Sequence, residues 1–422
     1  MNAAPATPPI GWGRLLAITL AFIAPATSLF LTFGPAYRLA GPDVAAAYAL
    51  GGAVSFVIML CYAEVGSVYP EAGGDYALAA RALGPRAGAV VAATFVFKGM
   101  ALPALLCLGA AAYVHAAAPG LPVLATAAGL LLLVLALAPL DLRASSAVVM
   151  GLVALEALVL MVFVAVAGSA VATHSAVAAP AHRTAWLGVA GAVGPVLYAM
   201  NGPQACLYFS EEVVGSGRRL ARTILGVSVL TIVIQVGGAA LGALALASFT
   251  APSNPAVPLM ALPSHAPWAR VVMGWLPAGI GIALFDAALT TTMGYGRIYR
   301  ALARDRVWPA PLNDWVAGGG ELPAYLLMGV GNAALLMMAR LGDLVALLGA
   351  LVILVYAGVA AAALATRLRR RHIPYRMPAW PLPPLAALAA LTILVRFLPL
   401  RQWVALLVVL GLGVMWSHPR PR

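Results

Sequence analysis

The chain has 422 residues, of which 63% are hydrophobic and 9% charged, against about 25% charged in an ordinary soluble domain. A mean hydropathy of +0.97 excludes a soluble globule, whose surface needs polar cover, and a disordered chain, which is poor in apolar residues. The net charge of +12 does not point to nucleic acid, because the basic residues sit in short clusters between apolar runs, as the loops of an integral membrane protein do.

A spanning helix needs about 20 mostly apolar residues. Twelve such stretches follow in chain order, near 15–39, 44–67, 87–117, 121–139, 145–171, 187–210, 220–248, 270–298, 323–339, 343–366, 380–396 and 401–416. A cleaved leader is not expected, because the first apolar run continues past Ile23-Ala24-Pro25-Ala26 as far as Tyr37. Most linkers are too short for an extramembrane domain, so 1–422 reads as one polytopic unit. The longer polar stretches are 68–86 and 299–322.

With the N-terminus placed in the cytoplasm, eighteen arginines fall inside and six outside. That asymmetry predicts a cytoplasmic-membrane protein with both termini inside. Lys98 is the chain's one lysine and is followed by Gly99, so there is no Gly-Lys-Ser/Thr phosphate loop. Cys61, Cys107 and Cys206 have no metal-ligand spacing. No metal or other cofactor is expected.

Two spans carry breaks. Span 1 contains Ala24-Pro25-Ala26-Thr27-Ser28. Span 6 contains Gly194-Pro195 and then Asn201-Gly202-Pro203-Gln204. These spans cross in opposite directions, and paired breaks in corresponding spans mark an inverted-repeat transporter with a midplane site. A broken helix frees backbone N–H and C=O groups, which cost several kcal/mol each in hydrocarbon until a partner satisfies them. A plain proline kink is the competing reading.

Three further stretches carry a family resemblance. The first is Tyr62-Ala63-Glu64-Val65-Gly66-Ser67-Val68-Tyr69-Pro70-Glu71-Ala72-Gly73-Gly74-Asp75-Tyr76, continuing to Arg81-Ala82-Leu83-Gly84-Pro85. The second is Tyr208-Phe209-Ser210-Glu211-Glu212 with Arg218, Arg219 and Arg222. The third is Arg297-Ile298-Tyr299-Arg300-Ala301-Leu302-Ala303-Arg304-Asp305, ending in Trp308-Pro309. With the twelve-span layout, the chain resembles the amino acid–polyamine–organocation permeases over nearly its whole length. The resemblance implies an all-α fold of about twelve transmembrane helices in a five-plus-five inverted repeat. Repeat one would cover about 14–172, repeat two about 186–366, and accessory helices about 380–416.

It also implies alternating-access transport of amino acids or related amines, with the substrate between the broken spans 1 and 6 and against spans 3 and 8. By that resemblance the substrate carboxylate meets N–H groups at the first break and the amino group meets carbonyls of the second. The implied binding residues are Ala24, Pro25, Ala26, Thr27, Ser28, Tyr198, Asn201, Gly202 and Gln204. Two departures stand out: a Pro-containing first break where many members have a Gly-Ser-Gly-like one, and Gln204 where the family carries an acid.

Three charges lie well inside predicted spans, away from their ends. Lys98 sits about eleven residues, roughly 16 Å of rise, into span 3, where a lysine costs at least about 2.5–3.5 kcal/mol on insertion scales. It is read as a contact for a substrate carboxylate, as part of ion coupling, or as the partner of Glu156 or Asp286. Glu156, in span 5, is read as a proton carrier or as the structural partner of Lys98. Asp286, in span 8, is read as functional, because intramembrane acids usually are. The adjoining Thr290 to Thr292 are expected to bond back to carbonyls four residues earlier. Glu64, Glu71, Glu211 and Glu212 lie at cytoplasmic ends, with arginines nearby for gate salt bridges.

The expected function is a proton-coupled secondary transporter whose partners are a small-molecule substrate, the bilayer and a proton, with no nucleic acid. An exchanger or uniporter without ion coupling is the alternative. An intramembrane enzyme fits less well, since HExxH and GxSxG motifs are missing. A non-transporting membrane subunit is the third class.

Overall fold

A computed structural model describes residues 15–16, 19–20, 23–70, 74–140, 146–173, 185–212, 217–246, 259, 267–308, 310–319, 322–370 and 372–417. The apolar runs form helices because a helix satisfies every backbone group within its own segment, as hydrocarbon requires. In order they are α1 (Pro25–Ala40), α2 (Val44–Val68), α3 (Gly74–Leu83), α4 (Pro85–Ala117), α5 (Val123–Leu137), α6 (Ser146–Thr173) and α7 (Trp186–Ala199). Then follow α8 (Gly217–Leu246), α9 (Pro267–Arg304), α10 (Ala310–Gly318), α11 (Leu322–Met338), α12 (Leu341–Arg369), α13 (Leu382–Val395) and α14 (Leu400–Trp416).

Among the described residues, seven stretches are long and apolar enough to cross a bilayer alone, the first being the joined α1–α2 run Pro25–Val68. Helices α7, α13 and α14, of 14, 14 and 17 residues, are shorter than a bilayer on their own. Apolar helices fall within the predicted stretches, the first of which is helical on both sides of Ala24. The amphipathic α3 and the short α10 occupy the two polar stretches.

The packing is pairwise between the two halves of the chain. Helix α1 lies on α7, α2 on α8, α4 on α9, and α5 on α11. Helix α4 is the axis, buried along most of its length and touching α3, α5, α9, α11, α12 and α14. Pro103 inside α4 has no N–H for the Gly99 carbonyl four residues back. Asn332 of α11 repairs the gap: its Nδ2 donates to Gly99 O at 3.0 Å and its Oδ1 accepts the Ala104 N–H at 2.7 Å.

One predicted break does not occur. Gly194-Pro195 lies inside the continuous helix α7, and the chain leaves the helix only at Met200–Gly202. Gly349 of α12 lets that helix lie directly on the Gly194 carbonyl; a Cβ at Gly349 would stand 2.7 Å from that oxygen. Tight packing thus holds a proline that costs one hydrogen bond.

At the end of the bundle where the arginines cluster, Arg367 of α12 grips Glu64 of α2 with two bonds of 3.0 and 2.8 Å, and Glu64 also accepts the Met377 N–H. Arg369 donates to Ala82 O. These bonds fasten α2, α3, α12 and the segment before α13 into one frame.

Candidate functional site

The first break is a single residue. Ala24 takes a left-handed conformation, φ 46°, which costs an L-residue roughly 1–2 kcal/mol, and α1 starts directly after it with Pro25. The N–H groups of Ala26 and Thr27 then point away from any helical partner. Both donate to Glu156 Oε1 from α6, at 3.0 and 3.3 Å. A carboxylate at a helix N-terminus is favoured by hydrogen bonds and by the helix dipole. Thr27 Oγ1 returns to Ala24 O, and Ser28 Oγ to Ile23 O.

The second break, Met200–Gly202, follows α7. Gly202 has φ 138° and lies against Ile23, where a Cβ would stand 2.7 Å from the Ile23 side chain. Its N–H donates to Gln204 Oε1 at 3.1 Å. The two breaks are tied together by Gln235 of α8, fully buried, whose Nε2 reaches Pro25 O at 2.9 Å and Ala199 O at 3.4 Å.

Lys98 does not pair with Glu156. Its ammonium, 5% exposed on α4, lies 3.5 Å from Asn201 Oδ1 and 5.2 Å from the centre of the Phe95 ring. Asn201 in turn donates to the Tyr356 hydroxyl at 3.0 Å. The countercharge is Asp75 of α3, 1% exposed and influenced by Lys98 and the Tyr62 hydroxyl. Burial pushes the Asp75 carboxyl up to about 6, against the pull of Lys98.

A cavity of about 870 Å³ joins these parts. Of the sequence-predicted residues it is lined by Ala24, Thr27, Ser28, Lys98, Tyr198, Asn201, Gly202 and Gln204. Pro25, Ala26, Glu156 and Asp286 do not line it. Pro25, Ala26 and Glu156 lie behind it, while Asp286 is a half-buried residue of α9 next to the lining residue Ala287. From Leu106 at its deep end the cavity runs past Tyr295 and Thr291 to Tyr76, Arg81, Arg304 and Asp305, the last two exposed. Thr290, Thr291 and Thr292 bond to the carbonyls of residues 286, 287 and 288. The Glu64–Arg367 pair stands outside the lining. Glu71 and the side chains of Glu211 and Glu212 lie outside the described residues.

Sequence reasoning missed Gln235, Asp75 and Tyr295. Gln235 had a readable signal, a lone amide in an apolar run. Asp75 lay within the quoted Gly73-Gly74-Asp75-Tyr76 stretch, but nothing in its spacing told that α3 tucks it under Lys98.

The family model described as amino acid permease matches residues 10–413. The chain belongs to the amino acid permease family. It is therefore a multi-pass membrane protein of a transporter family. A search of the curated proteins finds no match to the permease.

Proposed function

We propose that the permease is a proton-coupled secondary transporter of amino acids in the cytoplasmic membrane, working by alternating access. One observation carries the reading: a cavity connects both helix breaks to Arg81, Arg304 and Asp305 at one end of the bundle, and among the described residues of α4 its lining reaches Leu106 and no farther in the other direction. That is the shape of one half of an access cycle. The open end carries Arg81 and Arg304, and the positive-inside bias assigns it to the cytoplasm, so this is the inward-facing half. The pairing of α1 with α7, α2 with α8, α4 with α9 and α5 with α11 supports two repeats of five spans and twelve crossings in all.

Glu156 is the proton carrier in this reading. Its carboxylate is the clasp between α6 and the start of α1. A charge-assisted hydrogen bond is roughly twice as strong as a neutral one, so protonation loosens the clasp at the point where α1 must move. A potential of 100 mV supplies about 2.3 kcal/mol per charge, enough for about fiftyfold accumulation at 1.36 kcal/mol per decade.

The test uses the purified chain in proteoliposomes with labelled L-amino acids. The wild type is expected to accumulate at least one of them under an imposed pH gradient. Glu156→Gln should lower that uptake at least about tenfold while counterflow exchange persists. Uptake that follows a sodium gradient and ignores a pH gradient would refute proton coupling.

A further inference from the structure

The two breaks are closed from within. Glu156 holds both free N–H groups at the start of α1, Gln235 holds carbonyls at Pro25 and Ala199, and Gln204 holds the Gly202 N–H. An incoming carboxylate therefore finds the α1 donors already taken by a carboxylate of the chain itself. A protonated Glu156 still offers its carbonyl oxygen to the same N–H groups, through weaker neutral bonds, so an incoming carboxylate must displace it in either state.

Lys98 is the opposite case. An ammonium has three donors, yet among the described residues this one has a single polar partner, Asn201 Oδ1, at the long limit of 3.5 Å. The rest of its head lies over Phe95 and faces the cavity. Asp75 supplies countercharge to Lys98, and among the described residues it does so without a direct ion pair to the ammonium. A buried ammonium is stable when an anion completes its shell, and the cavity is the open direction from which one can come.

We infer that Lys98 anchors the carboxylate of the transported amino acid, with the Asn201 amide beside it, and that the N-terminus of α1 does not. This rests on the amino acid transport reading and moves the anchor from helix backbone to one side chain. It also sets the substrate class: a carboxylate is required, and a decarboxylated amine is excluded because Lys98 repels it.

The experiment measures thermal stabilisation of the purified full chain by each of the twenty L-amino acids, then by the amide and the decarboxylated amine of those that act. At least one amino acid should stabilise the wild type, with its amide and amine at least about tenfold weaker. Lys98→Met should raise the half-maximal concentration at least about tenfold, and Lys98→Arg, which keeps the charge, by less.

A second measurement needs no variant. Lys98 is the only lysine, so reductive methylation with carbon-13 formaldehyde labels it and the N-terminal amine alone. The Lys98 signal should shift with the stabilising amino acid and stay fixed with its amide. An amide or amine as effective as the acid, a Lys98→Met protein within twofold of wild type, or an unmoved Lys98 signal at saturation would overturn the anchor and leave amino acid transport standing. A wild type that no amino acid stabilises and that takes up none in liposomes would overturn both.

Discussion

Asp75 shows how a single side chain sets a pH response. Its carboxyl is buried under α4 and raised from 3.8 to about 6, so the folded protein holds this proton more tightly than the unfolded chain does. The contribution to stability is therefore fully present below pH 3.8 and is lost as pH rises through about 6. Acidifying from pH 7 to pH 5 should raise the melting temperature through this group. Asp75→Asn has no proton to bind, and its rise over the same interval should be smaller. Melting profiles of mutant and wild type that run parallel between pH 7 and pH 5 would contradict the assignment. Glu64, also buried, works differently: Arg367 and the Met377 N–H satisfy it in place, which makes it a fastener of the arginine-rich end.

At the level of elements, the bundle depends on a few close backbone approaches. On α12, Gly349 meets the Gly194 carbonyl of α7, whereas Gly358 has only a side-chain atom of Val91 at 3.9 Å from where its Cβ would be. Backbone cannot rotate aside as a side chain can, so an added methyl at 349 must push α12 and α7 apart. Overpacking of this kind costs typically about 1–3 kcal/mol. Gly349→Ala should lower the melting temperature clearly, and Gly358→Ala on the same helix should leave it unchanged or raise it slightly, alanine being the better helix former. Equal melting of the two variants would remove Gly349 from this role. The same packing explains why Pro195 does not end α7 although the sequence pattern predicts a break there.

For the molecule as a whole, the open end of the cavity and the arginine clusters coincide. If that end faces the cytoplasm, reporter fusions after Arg143 and after Arg376 should both give the inside signal. An outside signal at either position would reverse the orientation and make the cavity outward-facing. The arrangement is economical in charge, because arginines of the basic clusters also fasten the end of the bundle where they gather: Arg367 and Arg369 bind Glu64 and Ala82 O.

Hydrophobicity and charge placement act along the chain, so the sequence alone determined that this is an all-helical membrane protein and where its apolar segments fall. The quoted motifs, local in sequence, determined the family. The breaks at Ala24 and Asn201-Gly202 were legible too, because proline, glycine and a lone amide interrupt a helix wherever they stand. What a sequence of mid-span charges cannot express is which way each helix is turned. Lys98, Glu156 and Asp286 all lie within spans, and a pairing of Lys98 with either acid was open. Rotation of α4, α6 and α9 about their axes, set by close packing against their neighbours, sent Lys98 to Asn201 and Glu156 to the start of α1, and left Asp286 out of the cavity lining. Only the tertiary structure could decide that, because an ion pair is chosen by the few ångströms between two side chains and not by the position of either one in its own helix.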